Sequence, residues 1–141
     1  MPTTPAKGSR HWATELIGKR FATGTSGPDS FDCWGLVTWV YARQYGVVLP
    51  EYPLGRNYRP DMAATIAEVL GEQTWERIEK PVDGCAVVMG SSQRYHHVGI
   101  YLAVDGGLIL HATRPQVIAQ KREDIKGMPF MQFYRLRTWP Q

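Results

Sequence analysis

Apolar positions along this chain change their spacing once, which divides it into a helical front and a sheet-forming back. Trp12, Leu16 and Ile17 fall at helical spacing behind Ser9, which can cap a first helix running to Lys19. Gly24, Gly27 and Pro28 then make a loop. From Cys33 the apolar positions Leu36, Val37, Val40 and Tyr41 share one helix face, and Gly46 stands where a left-handed C-terminal cap belongs. An irregular segment with Pro50, Pro53, Gly55 and Pro60 leads to Asp61. That residue can cap a helix carrying Met62, Ile66, Val69 and Leu70 and ending at Gly71.

Beyond that point the period is two. Cys85 to Met89, Val98 to Val104, Leu108 to Ala112 and the aromatic stretch around Phe133 and Tyr134 read as strands. Asp105-Gly106-Gly107 between two of them makes a hairpin turn whose glycines accept positive φ. Helices first and strands later predict an α+β fold, with N-terminal helices and the cysteine helix packed on a C-terminal antiparallel sheet. At 141 residues, 43% of them hydrophobic, the chain has the size and apolar content for one core, so residues 1–141 are expected to form a single domain.

Charge narrows the range of partners. The formal net charge is +3, and the basic residues are scattered, so no nucleic-acid surface is expected. The N-terminus lacks the apolar stretch of a secretory signal and no segment is long enough to span a bilayer. The expectation is a protein made in the cytoplasm, with no export signal of its own and no membrane insertion.

Cys33 carries the most pointed chemistry. It follows Asp32, a natural N-cap, and so falls in the first turn of a helix. There the amide groups and the positive end of the macrodipole favour a thiolate. A nucleophilic thiol also needs a base, and histidine serves near neutral pH. His11 falls in the first helix, His96 and His97 begin a strand, and His111 lies in the strand after the hairpin. If Val104 pairs with Leu108, alternation puts His97, Gly99, Tyr101, Ile109 and His111 on one face, which can meet the cysteine helix. The same register sets His111 opposite Tyr101, four residues or ~13 Å along from His97. Contact between the two histidines then needs a shifted register or a bulge.

Asp32-Cys33-Trp34-Gly35-Leu36-Val37, His97-Val98-Gly99-Ile100-Tyr101 and Leu110-His111-Ala112, in that order, resemble the NlpC/P60 family of papain-like cysteine peptidases. Trp34, Tyr45-Gly46-Val47-Val48-Leu49-Pro50 and the doubled His96-His97 are similar to phage-encoded, tail-associated members. The resemblance implies Cys33 as nucleophile, His97 as base and then acid, and His111 as the polar residue that orients it. It implies bacterial peptidoglycan stem peptides as substrate and phage tail proteins as partners, with Trp34, Phe21 and Tyr101 as substrate contacts. No cofactor is implied. The family's Tyr-x-x-Gly ahead of the cysteine is Phe21-Ala22-Thr23-Gly24 here, which removes a hydroxyl. Its Gly-Asp before the first core strand is Gly84-Cys85, with Asp83 one step earlier.

Structural readings stand beside these. A cysteine on an inner helix face also serves as a small hydrophobe, and Cys85, in an apolar run, is expected to do so. His111 reads equally as a core histidine, and Trp34 as groove lining or packing. His96 alternates away from the face of His97 and is expected at the strand surface. Zinc is not expected, because neither Cys-x-x-Cys nor His-x-x-x-His occurs. Two other functions fit the same residues: a tail-assembly protein that keeps the shape without hydrolysis, and an amidase or acyltransferase using the same Cys-His pair.

Overall fold

An N-cap and a left-handed glycine delimit the helix that organises this molecule, α1 (Cys33–Tyr45). The Asp32 carboxylate accepts from the Gly35 amide at 2.6 Å, and Gly46, at φ 68°, closes the other end by donating to Tyr41. Leu36, Val37, Val40 and Tyr41, the predicted inner face, are all buried. The computed structural model describes residues 11–49, 74–91 and 94–139. The helix expected from Asp61 to Gly71 lies outside them.

The helix expected from Ser9 to Lys19 is not formed over its described part. Only a single 3-10 turn, Trp12–Glu15, is present, with the His11 imidazole accepting from the Ala13 amide at 3.1 Å. Tertiary pairing ends it. Gly18, at φ +92°, donates to the Val117 carbonyl at 2.9 Å, and the Lys19 carbonyl accepts from Val117 N–H at 2.8 Å. Backbone groups that a longer helix would use are thus spent on a strand. The expectation of several N-terminal helices is corrected to one helix and a 3-10 turn among the described residues.

Among the described residues eight strands accompany the helix: β1 (Arg20–Phe21), β2 (Ser30–Phe31), β3 (Trp75–Ile78), β4 (Ala86–Ser91), β5 (Arg94–Leu102), β6 (Leu108–Ala112), β7 (Val117–Gln120) and β8 (Phe130–Leu136). The first two form a small parallel pair, and the other six form one antiparallel sheet in the order β3-β8-β4-β5-β6-β7. Strands β3 and β7, at its two edges, are the members that the alternation of the sequence does not announce.

Each face of the sheet has its own core. Val88, Val98, Ile100, Leu102, Leu110 and Ala112 pack in one cluster with the inner face of α1. The alternate positions Val87, Met89 and Ile109, with Tyr101 against them, pack with Cys85, Ile125 and Phe133. The helix therefore lies on the face opposite Tyr101 and Ile109, and alternation sets His97, paired with Met89 of the far core, and His111 on that far face as well, so the expectation that this face meets the cysteine helix is corrected.

Candidate active site

Glycine governs how closely the chain can approach the start of α1. A Cβ on Gly35 would collide with the Thr25 carbonyl and fall 2.8 Å from Asp32 Oδ1. With no side chain there, the loop after β1 crosses the first helical turn. The Asp32 carboxylate also accepts from the Gly24 amide at 2.9 Å, and the Asp32 amide donates to the Thr25 carbonyl at 2.9 Å. Cys33 is held in this frame, half-buried against the helix-side core and outside any disulfide.

The helix and the histidine strands share an end of the sheet. Tyr41 donates to the Gly84 carbonyl at 2.6 Å, and the Gly84 amide donates to the Tyr101 carbonyl at 2.7 Å, which ties the later part of α1 to the Tyr101 end of β5. Cys33 stands eight residues earlier, ~12 Å along the helix, and His97 stands four residues earlier, ~13 Å along the strand. From the other side, β2 leads into Cys33 and pairs with β1, Arg20 of β1 bridges Gln116, and Phe21 N–H donates to the Pro115 carbonyl at 2.9 Å. Those contacts lie just past the end of β6 that carries His111.

His97 and His111 are joined directly. Strand β5 meets β6 with Ile100 opposite Leu110 and Leu102 opposite Leu108, a register shifted by two residues from the expected Val104–Leu108 pairing. The hairpin loop is five residues, 103–107, with Asp105 at φ 51° and both glycines also at positive φ. Extending this register puts His111 opposite Gly99 and leaves a diagonal of two residues to His97. Their rings close it: His97 Nε2 and His111 Nδ1 are 2.9 Å apart, with ring planes at 72°. Gly99 makes room for this, since a Cβ there would lie 2.8 Å from the Leu110 carbonyl and 3.0 Å from His111 Cβ. The ladder between β4 and β5 pairs Met89 with His97 and Gly90 with Tyr95, so His96 is the extra residue of a bulge.

Burial sets the protonation of the pair. His97 is pushed down to about 3, first by burial and then by its neighbours His111 and His96. Burial also lowers His111, against a smaller raising effect of its hydrogen bond to Gln120. Both rings are neutral at physiological pH, the state in which an imidazole can accept a proton. Cys85 is the opposite kind of thiol: fully buried in the far core, it is pushed up to about 12, chiefly by burial.

The remaining expected residues are spread out. Trp34 is 3% exposed and belongs to the helix-side core. Phe21 is half-buried, with the Arg114 guanidinium 4.6 Å from its ring centre and that same group bonded to the Thr23 hydroxyl at 3.2 Å. Tyr101 lies at the far end of β5 from His97, in a 260 Å³ cavity with Pro81, Gly107 and Arg122. Among the described residues no group of three or more His, Cys, Asp or Glu side chains is gathered as a metal site. No helix among them is long and apolar enough to cross a membrane. Gln120, whose Oε1 lies 2.9 Å from His111 Nε2, is a member of the constellation that alternation alone could not single out.

Residues 18–134 match the model of the NlpC/P60 family. Among solved structures, the NlpC/p60 domain of the peptidoglycan hydrolase SagA is similar at a TM-score of 0.59 and 21% identity, over 86% of this chain and 91% of that one. NlpC2 from Trichomonas vaginalis is similar at a TM-score of 0.62 and 23% identity, over 91% of this chain; the match spans 43% of that longer one. These likenesses are of fold. No curated protein matches the chain.

Proposed function

The chain belongs to the NlpC/P60 family, and on that footing we propose that it is a cysteine endopeptidase that hydrolyses the stem peptides of bacterial peptidoglycan. The supporting observation is the 2.9 Å His97–His111 pair at the end of the sheet where the Cys33 helix begins; the chemistry requires the thiol to meet that pair around this end of the sheet and not across the face the helix covers. The solved relative described as a peptidoglycan hydrolase points to the substrate.

In this reading the Cys33 thiol gives its proton to His97 as its sulfur attacks a peptide carbonyl. An amide at the start of α1 donates to the oxyanion that forms. The tetrahedral species collapses to a thioester as His97 passes the proton to the leaving amine. Water, deprotonated by His97, then releases the acyl product and restores the thiol. His111 holds the His97 ring throughout. Phe21, half-buried on the strand paired with the one that leads into Cys33, is the proposed substrate contact; Trp34 packs in the core and Tyr101 lies at the other end of β5, which removes both from that role, and residues 1–141 act as one domain.

Delivery as part of a phage tail is the accompanying proposal, supported by the Trp34, Tyr45–Pro50 and His96-His97 features. Cys33→Ala should abolish release of peptides from purified peptidoglycan while the circular dichroism spectrum stays unchanged. Undiminished release by that variant overturns the Cys33 mechanism, whereas no release by the parent protein leaves the non-catalytic tail protein as the better account. Release of ammonia or transfer to an added amine, in place of new peptide termini, would point to the amidase or acyltransferase reading.

A further inference from the structure

A chain of hydrogen bonds crosses β5, β6 and β7 on one face of the sheet and ends at a group that the mechanism above does not use. His97 Nε2 meets His111 Nδ1 at 2.9 Å, and His111 Nε2 meets Gln120 Oε1 at 2.9 Å. Gln120 Nε2 in turn donates to the Asp124 carbonyl at 3.4 Å. Strand β7 sets His111 opposite Ile118 and Ile109 opposite Gln120, so the glutamine reaches the imidazole along the same kind of diagonal that joins the histidines.

The direction of every proton in this chain follows from its far end. A carbonyl oxygen only accepts, so the Asp124 carbonyl takes the amide NH2 group of Gln120 and turns Oε1 toward His111. An amide oxygen also only accepts, so the His111 proton sits on Nε2. A neutral imidazole carries one such proton, and burial keeps His111 neutral. Its Nδ1 is then a lone pair that must accept from His97 Nε2–H. A neutral His97 with its proton on Nε2 presents a bare Nδ1.

Resting on the reading that His97 is the base for Cys33, we infer that Gln120 is a positioning residue that fixes which nitrogen of His97 is open to the thiol proton. The opposite arrangement has the same number of hydrogen bonds between the histidines but the wrong outcome. With its proton on Nδ1, His111 would donate to His97 Nε2, force the His97 proton onto Nδ1, and leave nothing there to receive a proton. Holding the wrong histidine tautomer in a serine hydrolase triad costs about 10⁴ in kcat. Gln120 prevents the equivalent inversion here from two strands away, without touching substrate.

The test is imidazole ¹⁵N NMR on the intact protein together with steady-state hydrolysis of purified peptidoglycan, for the parent, Gln120→Leu and Gln120→Glu. The parent should show Nε2–H at both histidines. Gln120→Leu should populate Nδ1–H at His111 and lower kcat tenfold or more with KM little changed. Gln120→Glu keeps an acceptor and should retain Nε2–H and kcat within about threefold of the parent. Should Gln120→Leu fail to fold, Gln120→Met takes its place. Unchanged Nε2–H tautomers in the apolar variant overturn the proposal, as does full kcat with the tautomers inverted. The tautomers are read without substrate, so an active Cys33→Ala would reject the peptidase mechanism while leaving the role of Gln120 to be decided by the spectra.

Discussion

His111 stands opposite Gly99, yet its ring bonds to His97, two residues further along β5. This diagonal contact exists because the hairpin closes on a loop two residues longer than the turn sequence implies, and because Gly99 has no side chain to hold β6 away. A shift of two keeps every side chain on its own face, so the alternation of β5 and β6 is unaffected while the histidines close from ~13 Å to hydrogen-bond range.

Gly99→Ala should therefore damage the histidine pair while leaving both histidines in the sequence. The added methyl would meet a backbone carbonyl at 2.8 Å, and a backbone carbonyl in a ladder does not swing aside. An expected loss of about 1–3 kcal/mol in urea denaturation should accompany a fall in kcat and an altered His111 imidazole resonance. Parent-like stability and resonances would show that β6 yields at no cost.

Asp32→Ala removes the acceptor for two amides, Gly24 and Gly35, one from the crossing loop and one from the helix. The cap alone is worth about 1 kcal/mol, and the charged acceptor serving two donors raises the expected loss to about 2–3 kcal/mol. Asp32→Asn keeps one acceptor oxygen and should lose roughly half as much. Equal losses in the two variants would show that the charge, and not the cap geometry, carries the effect.

Acid should weaken this fold through its buried imidazoles. In the unfolded chain a histidine takes a proton near 6.5; folded His97 resists until about 3, and His111 is lowered too. Between those values the unfolded chain binds more protons, so stability is full above about 6.5 and falls as pH drops toward 3. The urea midpoint should decrease from pH 7.5 to pH 5, and His97→Gln should lessen that decrease. By the same reasoning the acid limb of kcat/KM should lie below 6.5. A slope unaltered in His97→Gln would contradict the assignment.

The two thiols should separate cleanly under iodoacetamide. Cys85 is fully buried and pushed up to about 12, so the native protein should acquire a single carbamidomethyl group near neutral pH, on Cys33. The second should appear only in urea. Half-maximal labelling of Cys33 well below pH 8 supports an activated nucleophile, whereas a value near 8.5 supports the structural alternative.

Local chemistry made α1 legible before any coordinates: Asp32, the apolar spacing from Leu36 to Tyr41 and Gly46 each act within one or two turns. The strands carrying His97 and His111 were legible for the same reason. Their register was not, because Asp105-Gly106-Gly107 accepts positive φ in a three-residue or a five-residue loop alike. The 3-10 turn at Trp12–Glu15 has the apolar spacing of a longer helix, and what terminates it comes from Val117, roughly a hundred residues away. Edge strands β3 and β7 are four residues each, too short for alternation to register. With β7 unseen, Gln120 had no geometry to commend it.

The pairing of residues 18–21 with the start of β7 also bears on how copies of this chain behave toward one another. Gly18 and Lys19 occupy both backbone groups of Val117, and Phe21 occupies the Pro115 carbonyl, at an outer edge of the six-stranded sheet. Bare edges recruit further strands from solution. Trimming the protein back to Arg20 would expose both backbone groups of Val117 and turn a blocked margin into a template for self-association, so truncated versions should clump at concentrations where the intact chain remains dispersed.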